Sequence, residues 1–211
     1  MPQPIAVQTG PIVAGDGATP TLRGGREGEG VMVELHGKYF EQARVGRLYT
    51  ASTPAAGAAV PIFSNVIQQF LMWNPPNSGI MGVLDKVIFG YVSAAFVPGY
   101  FCLSHSLTTQ AQPTAITPAL SVGARVGGLS SGKIIVYTPG TVATALTLYR
   151  ALNLSVDTAV AASTNAPWKF SEDFDGEVLI PPGALLAVAS NVAQTAVCLI
   201  SALYEEVPYT Q

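Results

Sequence analysis

The sequence predicts an all-β protein, an antiparallel β-sandwich that follows an extended N-terminal arm. Strand-like runs recur at intervals of roughly 8–15 residues, and such spacing is typical of sandwiches and barrels. Strands do not alternate with helices, as they would in a parallel sheet built from βαβ units. The first 20 residues contain four prolines, too many for a helix or a central strand. These observations predict an arm over residues 1–29 and one β domain over residues 30–211.

The strands of the β domain are predicted from alternation and from apolar runs between turn signals. Residues 31–35 alternate apolar and polar side chains with period two, which is typical of a half-buried strand. Residues 38–50 continue with Tyr39, Phe40 and Val45 as a second β segment. Further strands are predicted at 66–73, 80–92, 100–103, 133–137, 143–150, 168–170, 177–180, 185–189 and 196–205.

Turns separate these runs. Residues 74–79 read Asn-Pro-Pro-Asn-Ser-Gly, a combination of several turn-forming residues. Asp175-Gly176 predicts a hairpin turn between two short strands. Gly82 and Gly90 lie inside a predicted strand and indicate bulges or close approaches of the backbone. Residues 66–73 and 184–196 also fit short helices, but their flanking turns and branched side chains favour strands.

The charge content indicates extensive association. Charged residues make up 11% of the 211 residues and apolar residues 49%, whereas a typical soluble domain has about 25% charged residues. The mean hydropathy is +0.38. Either Ser, Thr, Asn and Gln cover the surface, or much of the surface is buried against partners. The positive hydropathy favours burial, because obligate interfaces resemble a domain core cut in half.

Several classes of protein are disfavoured by the same composition. No run approaches ~20 uninterrupted apolar residues, so no transmembrane helix is predicted. The N-terminal residues have no basic segment followed by an apolar one, so no secretory signal is expected. The net charge is −3, with only 10 Lys and Arg, too few to neutralise a nucleic-acid backbone. We therefore expect neither a membrane nor a nucleic acid as partner.

The residue types that catalysis needs are sparse. The chain has two histidines, His36 and His105, far apart in the sequence, and each is interpreted as a strand-face or interface residue. No Gly-x-Ser-x-Gly nucleophile motif is present. The Gly-rich stretch 23–30 lacks the Lys-Ser/Thr of a phosphate loop and precedes a strand rather than a helix. The sequence predicts a protein that is not an enzyme and that binds no cofactor.

Two further groups of side chains have a structural and a functional interpretation. Residues 172–177 read Glu-Asp-Phe-Asp-Gly-Glu, and clustered carboxylates are candidate calcium ligands. The spacing of an EF-hand loop is missing, so a solvated hairpin turn is the favoured interpretation and no metal site is predicted. Cys102 and Cys198 both lie in apolar runs and are predicted to be buried free thiols.

The candidate interface residues lie in the arm and in the first β region. Apolar side chains of the arm favour docking on a neighbouring molecule. Charged side chains of the first β region are candidates for intersubunit ion pairs that fix register, although surface pairs of no consequence explain them equally well. The candidate interface residues are Ile5, Val7, Ile12, Val13, Arg23, Arg26, Glu34, Arg44 and Arg47.

Three stretches resemble proteins encoded in the head-gene regions of tailed bacteriophages. Residues 25–50, which begin Gly-Arg-Glu-Gly-Glu-Gly-Val-Met-Val-Glu-Leu-His-Gly-Lys-Tyr-Phe, resemble the opening of such proteins. The turn at 73–79 resembles their Asn-Pro and Ser-Gly turn. Residues 175–190 and 202–208 are similar to their last strands and to the C-terminal half of trimeric jelly rolls.

The resemblance covers roughly residues 25–208 and implies a capsid cement, or decoration, protein. Such a protein is a jelly-roll homotrimer that binds over the junctions between capsomers of the major capsid protein. It implies a location on the capsid surface of a virion after synthesis in the host cytoplasm, and no catalytic residues. The alternatives are a tail-fibre or head-fibre module that binds a host-surface glycan, a jelly-roll ligand related to tumour necrosis factor or to lectins, and a glycan hydrolase.

Overall fold

A computed structural model describes residues 38–115, 118–119, 122–123, 132–156 and 169–209. The chain divides into two compact units, Met1–Phe40 and Glu41–Gln211, and almost all described residues belong to the second. The predicted arm over residues 1–29 and the predicted strand over 31–35 lie outside the described residues. Among the described residues, no helix is long and apolar enough to cross a membrane.

The described residues form one short helix, α1 (Phe40–Arg44), and fifteen strands. The strands are β1 (Leu48–Ser52), β2 (Ala58–Ala59), β3 (Ile67–Gln68), β4 (Phe70–Trp73), β5 (Ile80–Ser93), β6 (Gly99–His105), β7 (Thr114–Ala115), β8 (Pro118–Ala119), β9 (Val122–Gly123), β10 (Ile135–Tyr137), β11 (Gly140–Thr141), β12 (Thr147–Val156), β13 (Lys169–Ile180), β14 (Leu185–Ser190) and β15 (Val197–Pro208).

The eight strands of four or more residues are divided equally between two sheets, each of which also contains two shorter strands, β2 and β9 in sheet A and β8 and β10 in sheet B. Sheet A has the order β13-β5-β15-β1, and sheet B has the order β12-β6-β14-β4. Counted along the chain, sheet A contains the sixth, third, eighth and first of these strands, and sheet B the fifth, fourth, seventh and second. All neighbours pair antiparallel. This order is that of a jelly roll, so the predicted all-β sandwich is confirmed.

A single apolar core lies between the two sheets. Phe89 of sheet A packs against Phe101 of sheet B, with ring centroids 4.8 Å apart and the ring planes tilted by 35°. Tyr49 and Tyr204 stack at 5.6 Å where β1 pairs with β15. Strand alternation places these rings inward together with Leu84, and all belong to one cluster of buried residues. Burial of a large apolar side chain contributes roughly 1.5–3 kcal/mol, so this core holds the sheets together.

The outer face of sheet B is covered by the chain itself. A second buried cluster lies there and contains Leu71, Trp73, Tyr137, Val142, Leu146, Leu185 and Ala187. A small sheet of β3, β11 and β7 forms in the same part of the chain, and Trp73 donates its indole N–H to the carbonyl of Gln110 at 3.2 Å. As a result, every residue of β4 and of β14 is buried.

Some sequence predictions were wrong in detail. Residues 38–50 are not one β segment, because Phe40–Arg44 forms a helix and a turn with Gly46 at φ 75° precedes β1. Glu, Gln, Ala and Arg in that helix are all good helix formers. The strand predicted at 143–150 instead begins at Thr147 and extends to Val156.

The predicted hairpin at Asp175-Gly176 is absent. Residues 169–180 form one strand, β13, with an extra loop of four residues where Asp173 pairs with Lys86 and Val178 pairs with Leu84. Asp175 and Gly176 adopt positive φ values of 48° and 86°, as the Asp-Gly pair favours, but Phe174 is 1% exposed. The buried Phe174 ring keeps the strand on the core, so the turn becomes a bulge rather than a reversal.

Gly82 and Gly90 behave differently from each other. A Cβ at Gly82 would lie 2.4 Å from Ile134 Cδ1, which confirms the predicted close approach, whereas a Cβ at Gly90 would meet only Leu199 Cβ at an ordinary 3.7 Å. The register shifts of β5 against β15 lie at Asp85 and Val92 instead, because residues 84 and 86, and likewise 91 and 93, pair with consecutive positions of β15. Both regions predicted as possible helices contain strands, which confirms the β interpretation.

Candidate assembly surface

The structure describes two of the nine candidate interface residues. Arg44 ends α1 and Arg47 lies just before β1, and both are exposed. The backbone carbonyl of Arg47 accepts a hydrogen bond from Glu206 N at 2.9 Å. The seven others lie outside the described residues: Ile5, Val7, Ile12, Val13, Arg23, Arg26 and Glu34.

The described histidine and the acidic segment lie near one edge of the sandwich. His105 ends β6, and its ring lies 5.1 Å from the ring of Tyr149 in an edge-to-face contact. Glu172 and Glu177 of β13 both contact Arg150 of β12. Within the ranges that the structure describes, no group of three or more His, Cys, Asp and Glu side chains is placed to hold a metal ion. His36 lies outside these ranges.

Arg150 joins the outermost strands of the two sheets. Its Nη1 donates a hydrogen bond to Glu177 Oε2, and its Nη2 lies 4.0 Å from Glu172 Oε1. The guanidinium also lies over the Phe174 ring, 5.5 Å from its centre. The hydrogen bond to Glu177 raises the pKa of Arg150 above its ordinary value. Because these groups are largely exposed, the pairs contribute little to stability and mainly give this edge a charged surface.

The two cysteines are confirmed as buried free thiols. Cys102 lies on β6 of sheet B and Cys198 on β15 of sheet A. Burial raises the pKa of each thiol to about 12. Because the thiolate is the reactive species, neither cysteine is activated as a nucleophile.

The outer face of sheet A differs from that of sheet B. Along β15, buried inward side chains alternate with half-buried outward ones, from Val197 to Val207. Most outward side chains on this sheet are aliphatic or small and uncharged. We define the outer face by the outward residues Thr50, Ser52, Met81, Val83, Lys86, Ile88, Ser171, Asp173, Leu179, Leu199, Ser201, Leu203, Glu205 and Val207, all half-buried or exposed.

Four of the polar side chains of the outer face form two pairs. Lys86 Nζ lies 2.9 Å from Asp173 Oδ1 across the β5–β13 pair. Ser52 and Ser201 hydroxyls lie 2.7 Å apart across the β1–β15 pair. The face thus carries one cation and two carboxylates, with Glu205 as the second, among seven aliphatic side chains. An aliphatic, nearly neutral sheet face of this kind is typical of an interaction surface.

A shallow groove of about 160 Å³ opens near the charged edge. It lies between the end of β13 and the start of β12, and its lining includes His105, Tyr149 and Leu179. Tyr149 is 46% exposed and Leu179 is 53% exposed. A cavity of ~150 Å³ accommodates benzene, so the groove has room for one ring or one branched side chain.

The outer face was not among the predicted interface residues, although the sequence contains a signal for it. Residues 196–205 are apolar at both parities, with Leu199 and Leu203 on one side and Ile200 and Ala202 on the other. A strand of this kind buries both faces. The residues that join Leu199 and Leu203 on the outer face depend on which strands pair with β15. The sequence alone does not give this pairing.

Comparisons with protein-family models, with curated proteins and with solved structures gave no match.

Proposed function

We propose that this chain is a virion structural protein, a capsid cement protein that binds as a homotrimer between capsomers of the major capsid protein. It is not an enzyme and needs no cofactor. It acts on the capsid surface after synthesis in the host cytoplasm. The aliphatic outer face of sheet A carries this proposal, because it presents an association surface on a rigid jelly-roll scaffold.

The composition supports the same role. A cement protein remains permanently bound, and permanent interfaces are apolar and depleted of charge at their centres. The chain has 11% charged residues, and four acidic residues lie together in 172–177 at the edge of the sandwich. The resemblance of residues 25–50 and 175–190 to phage head proteins points to a capsid as the larger assembly.

The physical advantage of such a protein comes from repetition. Each subunit adds a modest net free energy of association after desolvation and lost rotational freedom are subtracted. A trimer engages several capsomers at once, and multivalent attachment raises the effective affinity ~10²–10⁴-fold without a new contact. Placed at every junction, the protein strengthens a shell against the pressure of packaged DNA.

Quantitative mass spectrometry of purified particles of the encoding virus tests the proposal. A cement protein is present at hundreds of copies per particle, in a fixed ratio to the major capsid protein. A dozen copies or fewer per particle refutes the proposal. Particles assembled without the protein serve as the control, and they are expected to release DNA at a lower temperature than particles to which the purified protein is added back.

The alternative is a tail-fibre or head-fibre module that binds a host-surface glycan. The exposed Tyr149 ring beside the groove favours this alternative, because aromatic side chains present a large apolar surface with a polar tip. A glycan array probed with the purified protein separates the two functions. Binding that Tyr149→Ala abolishes, combined with a low copy number per particle, favours the fibre module.

A further inference from the structure

We propose that the outer face of sheet A is the surface through which copies of this chain pack against each other. This inference rests on the proposed function, since a cement protein that acts as a homo-oligomer requires an interface between sister subunits. The occupant of the face is therefore a second copy of the same chain rather than the shell.

The unequal burial of the two sheets is the first argument. The chain covers the outer face of sheet B with its own side chains, so that β14 is buried along its whole length. On sheet A, only the inward side chains of β15 are buried, and the outward ones remain half-buried. Among the described residues, the two buried apolar clusters lie between the sheets and on sheet B. Within the described ranges, seven aliphatic side chains on the outer side of sheet A are half-buried or exposed.

The area of the face matches what an oligomer needs. Strands β13, β5 and β15 contain 12, 14 and 12 residues. With strands ~4.8 Å apart and ~3.3 Å per residue, these strands and β1 cover roughly 650 Å². A stable interface of standard size buries ~800 Å² on each partner. The outer face therefore supplies most of the area of a standard interface.

The small net charge of the face suits contact with sister subunits. Lys86 and Asp173 neutralise each other at 2.9 Å, so sister subunits approach this face with little charge repulsion. A strongly charged partner would find few groups to pair with. Glu205 is the other charge of the face, and Arg150, Glu172 and Glu177 lie together at the rim. An apolar centre inside a polar rim is the usual anatomy of a protein interface.

The edges of the sandwich are poor alternatives. The outermost strands β12 and β13 are long, and a long exposed edge favours pairing with a strand of another chain. Both strands, however, have register shifts: β12 at Tyr149 and again between Ala151 and Ser155, and β13 at residues 174–177. Bulges and charged side chains are the features by which proteins block edge-to-edge pairing. Association through the sheet face is therefore favoured over strand addition.

Size-exclusion chromatography with light scattering on the purified full-length protein tests the surface. The wild type is expected to have a mass at least twice the 21.9 kDa chain mass, and three times that mass for the proposed homotrimer. Leu199→Glu and Ile88→Glu place a charge in the apolar centre, and we expect dissociation constants at least ~100-fold higher, because an unpaired buried charge is strongly destabilising. Leu107→Glu is the matched control, since Leu107 is 75% exposed and lies outside the face.

Crosslinking tests the same surface without a charged substitution, so that the inference remains testable if a face variant fails to fold. The native thiols are buried, so a new surface cysteine is the only reactive one expected among the described residues. Ser201→Cys, at the centre of the face, is expected to give covalent dimers with a short bismaleimide. Ala145→Cys, in an exposed loop, is expected to give none.

Three results would overturn the inference: a monomeric wild type at ~100 μM, face variants with unchanged mass, or equal crosslinking at both cysteines. A protein that is monomeric in solution and present at hundreds of copies per particle would refute the inference and leave the cement role standing without the homotrimer. An oligomer that depends on the face but is absent from particles would support the inference and refute the proposed function.

Discussion

Asn74 joins the two sheets at one end of the sandwich, and its replacement by alanine is expected to destabilise the fold. The side chain follows β4 and is fully buried. Its Nδ2 donates to the carbonyl of Ile80 at 2.9 Å and to the carbonyl of Ile180 at 2.8 Å. These residues begin β5 and end β13. One amide from sheet B therefore holds the ends of two neighbouring strands of sheet A.

The size of the effect follows from these two bonds. Each neutral hydrogen bond contributes a net ~1 kcal/mol, and a buried carbonyl left without a donor costs more. We expect Asn74→Ala to lower the free energy of unfolding by about 2 kcal/mol, within a range of ~1–3 kcal/mol. With a urea m-value of ~2–3 kcal/mol/M, the midpoint falls by nearly 1 M. Equilibrium unfolding by urea, followed by circular dichroism, measures this shift.

Asn65→Ala is the matched control for Asn74→Ala. Asn65 is exposed, and its Oδ1 accepts a hydrogen bond from the backbone N–H of Ile67 at 3.0 Å. A surface substitution of this kind is expected to change the stability by ~0.5 kcal/mol or less. Both variants are compared at one protein concentration, because association shifts the apparent stability. Equal midpoints for Asn65→Ala and Asn74→Ala would refute the proposed role of Asn74 as a clamp.

Three further predictions follow from buried or strained residues. At pH 8, Ellman's reagent should react rapidly with neither Cys102 nor Cys198 in the folded protein and with both in denaturant, because burial raises the pKa of each thiol to about 12. Rapid reaction of either thiol in the folded protein would contradict this prediction. Gly176→Ala should cost ~1 kcal/mol in urea unfolding, because φ is 86° there and the nearest atom is 4.0 Å away, so only backbone strain is added. Gly90→Ala should be nearly neutral, and an equal loss in both variants would exclude strain as the cause. Phe174→Ala should cost ~3–5 kcal/mol by the same assay, whereas a loss below ~1 kcal/mol would mean that the ring does not anchor the bulge of β13.

The sequence predicts most strands because turn-forming residues mark where they begin and end. The Asn-Pro-Pro-Asn-Ser-Gly stretch at 74–79 separates β4 from β5, and Asn77 and Gly79 adopt the positive φ values that such turns favour. Residues 185–190 and 197–208 are strands where alternation and apolar runs predict them. In these regions local preference and global fold agree.

Other features depend on distant parts of the chain and have no local signal. The Asp175-Gly176 pair favours a reversal of the chain, but burial of Phe174 between the sheets keeps β13 extended. The register shift at Asp85 lies opposite this bulge and is not marked by a glycine. The outer face combines side chains of four strands whose neighbours are far apart in sequence. Tertiary packing decides all three.

The location of the few charged residues on the sandwich is more informative than their number. A chain with few charged residues can distribute them evenly over its surface or concentrate them in one region. Here Lys86 and Asp173 pair with each other, and Arg150, Glu172 and Glu177 lie together on the outermost strands. There they oppose edge-to-edge pairing, which is the main hazard of an open β-sandwich. The same placement leaves the broad face of sheet A largely apolar. The charge distribution therefore favours association through this face over association through the edges.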